Sequence, residues 1–478
     1  MLLWFVIIYW IISVAIGIYA AKWVHNTKDF AVAGRRMPMY IVTATVFATW
    51  FGSETVLGIP ATFIKDGFAG VVADPFGSSL CLVLVGLFFA RPLYRMNLLT
   101  IGDYYRKRYS RPVEILTSLC IVISYLGWVG AQIKALGLVF NVVSDGNITQ
   151  QWGMIIGATT VLVYTMLGGM FSVAITDFIQ MIIIILGMLY IGWEVSGLVP
   201  GGVAAVVSHA ANEGKFHMLP DLNARDIIAF IAAWITMMLG SIPQQDVFQR
   251  VQSAHNENTA ANSSILGGVM YFCFAFVPMF LAYSASLIQP EMVAAAMKEG
   301  GDTQQILPGL VLSPVVPMFA KIMFFGALLS AIKSCASATL LAPSVSFSEN
   351  ILKPFLPRIG DHQFLKLMRG VIVGFTILVT MFAMSTDESI YGMVENAYKV
   401  TLVGAFVPLV CGLYWKRATN LGGTLSVVVG LIVWVGCEKF AADAVVPPQL
   451  AGLLASFAGM IFGSLAFRTL QREAATTT

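Results

Sequence analysis

The sequence predicts an all-α polytopic membrane protein of about 13 transmembrane helices. Hydrophobic residues make up 58% and charged residues 11% of the 478, too few charges to cover a water-soluble fold. Apolar runs of about 20 residues recur along the whole chain, each long enough to cross a hydrocarbon layer roughly 30 Å thick as a helix. The Lys and Arg of the connecting segments also fall mainly on one side.

The spans read as 2–23, 39–65, 69–96, 111–142, 151–170, 172–199, 224–250, 263–289, 313–346, 368–386, 389–416, 418–440 and 447–468, numbered here 1 to 13. With the N-terminus outside, Lys65, Lys215, Arg225, Lys298 and Lys439 lie outside, and Lys134, Lys321, Lys333 and Lys399 lie within spans. All other Lys and Arg of the 28 fall inside, which puts the C-terminus in the cytoplasm. The first span has no basic lead and no convincing small-residue cleavage site, so it reads as a retained helix. A multi-pass protein of the plasma membrane follows, most simply a bacterial inner membrane.

Several classes are disfavoured. No loop is large enough for a soluble catalytic domain, and there is no Walker A loop, HExxH or Cys/His cluster with metal spacing, so neither an ATP-driven pump nor an enzyme is expected. The net charge of +3 gives a nucleic-acid partner no support. All six cysteines lie in or at spans, where they read as small core residues. A sequon at Asn147 has meaning only in a eukaryotic host.

Chemistry must then come from polar groups inside spans, which are costly and face a bundle interior or a water-filled cavity. Span 2 carries "TATVFATWFGSETVLGIP", span 4 Gln132 and Lys134, span 6 Asp177 and Glu194, span 7 "LGSIPQQD", and span 11 Glu395, Asn396 and Lys399. Span 9 carries Lys333 in "LLSAIKSCASATLLAP", with no other charge from Phe324 to Phe347. The Gly-Ser interruptions "FGSE" and "LGSIP" lie five spans apart, a signal of inverted repeats whose first helices are broken near the midplane. The alternative is that both are packing glycines.

"FAVAGRRMP" before span 2, "YTMLGGMFSVAITDFIQ" across spans 5 and 6, and the Ser-rich span 9 followed by "SEN" resemble the sodium/solute symporter family from about residue 28 to 415. Within it, "TATVFATWFGSE", "LVGLFFARPL" and "GSIPQQDVFQRV" are most similar to the high-affinity choline transporter branch. The resemblance implies a leucine-transporter-type fold, five plus five inverted helices (spans 2–6 and 7–11) with flanking helices. The chain then divides into a first helix and cytoplasmic loop (1–38), a first repeat (39–199), a second repeat (200–416), and two C-terminal helices with a short tail (417–478). It implies sodium-coupled symport of a small polar or zwitterionic solute by alternating access, with Na+ as coupling ion and no cofactor. The expected partners are that solute, Na+ or H+, and the bilayer, for a monomer or loose homo-oligomer.

Carried over by position, the main sodium site would use the carbonyls of Ala48 and Phe51 with Ser334 and Cys335. A thiol is a poor partner for a hard cation. A second cation site would use Asp177, Ser334 and Ser337, with Ala338 where a further hydroxyl would help. Lys333 precedes Ser337 by four residues, on one helix face, and is expected to pair with Asp177 and take that ion's place. The alternatives are a structural pair, snorkelling to the cytoplasmic face, or substrate contact.

For the solute, Trp50 matches one aromatic of the choline branch, while Ser78, Gln244 and Val394 stand where that branch places others. A cage reduced to one ring, beside Glu54, Gln132, Lys134, Gln244, Gln245 and Glu395, suits a polar or zwitterionic solute. Lys134 and Lys399 would admit a carboxylate, Glu54 or Glu395 an amine; each is alternatively a structural pair. Two further readings stay open: a proton-coupled or ion-independent carrier in which Lys333 stands in for a cation, and a solute-sensing receptor, against which the ending "FRTLQREAATTT" offers no output domain.

Overall fold

The computed structural model describes residues 2–476, with side chains through residue 466. Among the described residues every regular element is helical, apart from one isolated bridge between Met37 and Ala254. We label the principal helices α1 (Leu2–Ala20), α2 (Met39–Trp50), α3 (Ile59–Gly70), α4 (Val72–Arg95), α5 (Arg111–Val143), α6 (Gln150–Leu198), α7 (Ala224–Gly240), α8 (Gln245–Ser253), α9 (Glu257–Ile288), α10 (Met318–Ser346), α11 (Asp361–Ser385), α12 (Ile390–Tyr414), α13 (Asn420–Phe440) and α14 (Pro448–Thr476).

Ten described helices are long and apolar enough to cross a membrane, eleven if the bent pair α7–α8 is one span. The thirteen expected differ from this for two physical reasons. At 49 residues, α6 would be about 74 Å long if straight, and it is interrupted by non-helical Gly169 (φ 51°, ψ −142°). A Cβ there would lie 2.5 Å from the Phe30 carbonyl oxygen, so glycine is required for both the turn and the contact. The other reason is α2, which at 12 residues is too short alone because the chain leaves helical geometry at Phe51.

Burial grades from rim to centre. The most apolar stretch of α10 is completely buried, packed among α6, α5 and α2. Its run of Ala, Ser and Cys lets neighbouring backbones approach closely, which is how helices associate where no water drives them together. At the rim, α1 exposes Trp4, Ile8, Ile11 and Ile12, and buries Val6, Trp10, Ser13 and Gly17 against α6 and α10. The α13–α14 pair packs through small residues, with Ser426 and Ser456 hydroxyls 2.8 Å apart.

Candidate functional site

Two helix interruptions frame the centre. At the first, the Gly52 N–H turns to the Trp50 carbonyl (3.1 Å), leaving the Ala48 carbonyl without its intrahelical donor. The Ser53 N–H is accepted by Gln132 Oε1 (2.9 Å), and Gln132 Nε2 donates to Glu54 Oε2 (2.6 Å). A Cβ on Gly52 would lie 2.8 Å from Cys335 Sγ and 2.7 Å from Glu54 Oε2, so α10 reaches the break only because residue 52 lacks a side chain. At the second, between α7 and α8, the axis bends by 44°. There the Gly240 carbonyl accepts from Thr401 Oγ1 (2.7 Å), and Gln244 Nε2 donates to Ser124 Oγ (2.9 Å). Helix α5 thus supplies polar partners to both breaks, Gln132 to one and Ser124 to the other.

Beside the first break lies an oxygen cluster. Asp177 on α6 accepts hydrogen bonds from Ser334 Oγ (2.6 Å) and from Thr45 Oγ1. Ser337 turns its hydroxyl to the Ser334 carbonyl (3.0 Å). The Asp177 carboxylate with the Ser334 and Thr45 hydroxyls forms a hard-oxygen set of the kind a small hard cation takes; Cys335 offers only sulfur. Four residues from Thr45 on the same face of α2, Thr49 Oγ1 accepts from Arg250 (2.7 Å). The second guanidinium nitrogen donates to the Asp246 carbonyl (2.9 Å), and Asp246 is bonded to the Tyr125 hydroxyl (2.5 Å), all buried. Thr45, Thr49, Arg250, Asp246 and Tyr125 were not singled out from sequence. An Asp-x-x-x-Arg pair in the "PQQDVFQR" stretch was the available signal.

The centre is aromatic, which corrects the expectation of a single ring. Trp50 stacks on Tyr398 (6.2 Å between centroids) and meets Trp128 (5.7 Å) and Tyr271 (6.4 Å) edge-on, and Trp128 lies 5.4 Å from Tyr398. These rings come from α2, α5, α9 and α12, and not from positions 78, 244 and 394. Each is at most 2% exposed. Glu54 reaches this cluster, accepting from Trp128 Nε1 (3.2 Å) as well as from Gln132. Among the described residues it has no Lys or Arg within ion-pair distance. Trp50 Nε1, Ser53 Oγ and Tyr398 OH are buried without hydrogen-bond partners. Electron-rich ring faces around an uncompensated carboxylate attract an organic cation.

Lys333 does not pair with Asp177. Its ammonium extends the other way, over the rings of Trp10 (4.9 Å), Tyr9 (5.6 Å) and Tyr164 (5.6 Å), fully buried and without a hydrogen-bond acceptor. Successive residues of a helix point about 100° apart, so a chain that turns Ser334 toward Asp177 turns Lys333 toward α1. The Tyr164 hydroxyl donates to the Lys333 carbonyl (3.0 Å), and Tyr9 bonds Ser330 one turn earlier. Snorkelling is not observed either, since the side chain stays in the interior.

The remaining expected solute contacts divide. Glu54, Gln132 and Trp50 converge. Lys134 instead donates to the loop carbonyls of Thr386 (3.1 Å) and Glu388 (2.6 Å). Gln245 Oε1 accepts the Ile101 N–H (2.8 Å), Gln244 serves the second break, and Glu395 sits one turn from Lys399, half-buried, with neither ion pair nor hydrogen bond among the described residues. Polar side chains in a membrane interior satisfy nearby backbone as readily as a ligand.

A profile of the Sodium:solute symporter family matches residues 30–430. The chain belongs to that family. Members of the sodium:solute symporter family are non-catalytic carriers of secondary transport, and coupling to Na+ is consistent with that membership. The chain is 25% identical over 441 residues to the high affinity choline transporter 1 of Homo sapiens, covering 90% of this chain and 75% of that protein. It is 23% identical over 487 residues to the sodium/proline symporter 2 of Staphylococcus saprophyticus, covering 95% and 91%. Among solved structures, a substrate-bound, outward-open Na+-coupled sialic acid symporter superposes with TM-score 0.82 at 19% identity, covering 97% of each chain. A closed nucleobase-cation-symport-1 family transporter gives 0.57 at 15% identity, covering 92% and 96%. The all-α, multi-span fold is therefore shared with these two solved transporters.

Proposed function

We propose that this symporter couples the inward movement of Na+ to uptake of a small organic solute bearing a positively charged amine. The observation that carries the reading is Glu54, buried among Trp50, Trp128, Tyr271 and Tyr398 with no Lys or Arg in ion-pair contact among the described residues. A carboxylate alone in a low-dielectric interior is costly, and a bound cation offsets that cost. Similarity to a choline transporter supports an ammonium solute of that branch's type, and the Gln132 and Glu54 hydrogen bonds support one with N–H groups. Sodium would sit at the break, on the Ala48 and Phe51 carbonyls and Ser334, with Cys335 a weak fourth contact. Asp177 and Ser334, joined by Thr45, would form the second cation position, Ser337 lying one turn away.

We read the α6 turn at Gly169 as separating two spans, and α2–α3 and α7–α8 as one broken span each, which gives thirteen spans. Residues 39–199 and 200–416 then form two inverted repeats, with the C-terminus in the cytoplasm of a bacterial-type inner membrane. Polar α5 side chains at both breaks support this, as the two half-helix pairs would share one centre.

The test is uptake by purified protein in liposomes, using mono-amines, quaternary amines, amino acids, small carboxylates and sugars, each with and without a sodium gradient. Sodium-dependent uptake confined to solutes with a cationic nitrogen is expected; uptake of carboxylates or sugars in preference would refute the solute class. A proton-coupled carrier is the second reading, favoured by the sulfur of Cys335 at a position where sodium wants oxygen. Uptake that ignores sodium and follows a pH gradient would select it.

A further inference from the structure

Two adjoining cavities open beside the "FAVAGRRMP" stretch, which the proposed transport chemistry leaves without a role. One, of about 320 Å³, and the other, of about 610 Å³, share Lys28, Arg35 and Asn97 in their walls. The backbone builds the shared wall: Ala33 (φ 48°), Gly34 (φ 61°) and Arg35 (φ 60°) are consecutive left-handed residues, a turn that non-glycine residues enter only when held there.

What holds it is the Arg35 side chain. Its guanidinium stacks 3.9 Å over the Tyr94 ring, while Nη1 donates to Asn97 Oδ1 (2.5 Å) and Nη2 to the Tyr94 carbonyl (2.9 Å). All three contacts are neutral, so the charge is fixed in place and unmatched. Of the nearby acids, Glu257 is paired by Arg95 (2.6 Å) and Glu349 by Lys353 (2.5 Å), while Asp361, in the wall of the smaller cavity, accepts the Thr27 N–H (3.2 Å) and Asp29 accepts the His25 N–H (3.3 Å). Among the described residues Lys28 and Arg35 have no carboxylate in ion-pair contact. A rigid planar fork beside an unpaired ammonium, both lining one hollow, is the arrangement that takes a phosphate. Val32, Leu98 and Leu99 add an apolar wall to the smaller cavity, as an acyl-bearing ligand would use.

We propose that Lys28 and Arg35 form a binding site for a phosphate group, supplied by an anionic phospholipid headgroup at this membrane surface. Positive-inside bias requires only that cations lie on this face; it does not require one locked in a left-handed turn at the wall of two cavities.

The test is the thermal unfolding midpoint of the full chain in neutral detergent, titrated in separate arms with phosphatidylglycerol, phosphatidylcholine and inorganic phosphate. Phosphatidylglycerol is expected to raise the midpoint saturably where phosphatidylcholine does not. The Lys28→Gln/Arg35→Gln double variant should raise the half-saturating lipid concentration about tenfold, and Lys416→Gln, an exposed basic residue elsewhere, should leave it unchanged. Arg35→Lys, keeping charge and losing the fork, should fall between. Should the double variant fail to fold, Lys28→Gln alone decides, with a several-fold loss expected, since the Lys28 side chain makes no described hydrogen bond. Stabilisation by inorganic phosphate with the same Lys28 dependence would support the site and assign its phosphate to a soluble source. Equal responses to both lipids, or a phosphatidylglycerol response indifferent to Lys28→Gln, would overturn the proposal.

Discussion

Gln132 accepts the Ser53 N–H through one amide atom (2.9 Å) and donates to Glu54 through the other (2.6 Å), so one α5 side chain both closes the helix break and aims the carboxylate beyond it. Replacement by leucine orphans a buried N–H, at about 1–3 kcal/mol. Gln132→Leu should therefore lower the unfolding midpoint and abolish uptake together. Full uptake by that variant would mean that Glu54 needs no such alignment.

The ring cluster predicts a graded response. Cation–π attraction in a desolvated site is worth about 1–2 kcal/mol per good contact, so Trp128→Leu should raise the half-saturating concentration of a cationic solute roughly 5–30-fold. Trp128→Phe, retaining a ring and losing only the indole donor to Glu54, should raise it less. Measured against an uncharged isostere, the charged solute alone should show this order. Equal weakening of both would indicate simple packing.

Cys335 packs against Gly52 with a sulfur where sodium would want oxygen. Cys335→Ser should lower the half-saturating sodium concentration several-fold, on the order of 1 kcal/mol for one added oxygen ligand. Ser334→Ala, which also removes the donor to Asp177, should raise it. Sodium titration of uptake reads both, and an unchanged Cys335→Ser curve would place the ion elsewhere.

Lys333 faces three rings and not Asp177. Replacing a buried ion by an apolar side chain of similar length is often neutral or stabilising, so Lys333→Met should keep the ion-to-solute stoichiometry and hold or raise the unfolding midpoint. Trp10→Leu should destabilise the native chain by more than it destabilises the Lys333→Met background, the difference giving the cation–π coupling in a double-mutant cycle. A changed stoichiometry would return the lysine to the ion pathway.

The membrane architecture and both helix breaks were legible in the sequence, because apolar length and Gly-Ser interruptions are local properties. Glu54, Gln132 and Asp177 were legible as polar exceptions in apolar runs, and Ser334 through the family resemblance. Trp128, Tyr271 and Tyr398 were not, since an aromatic in a membrane helix looks the same whether it faces lipid, core or ligand. Their convergence depends on how α2, α5, α9 and α12 pack. The direction of Lys333 was lost for a related reason: sharing a helix face with Ser337 says nothing about which neighbour that face meets. Lys134 and Gln245 were marked by polarity alone, and their partners turned out to be backbone atoms of nearby segments.

The aromatic seat of Lys333 also has a consequence for synthesis. Two of its three rings belong to α1, which leaves the ribosome before α10, while the lysine follows more than 300 residues later. A lone ammonium on α10 costs about 2.5–3.5 kcal/mol at the middle of a membrane segment during insertion. Tyr9 and Trp10 lower that cost only if α1 is already in place and unoccupied when α10 arrives. Helix α1 would then act as a docking partner during assembly, so that its truncation would be felt as failed insertion or degradation before it was felt as lost transport.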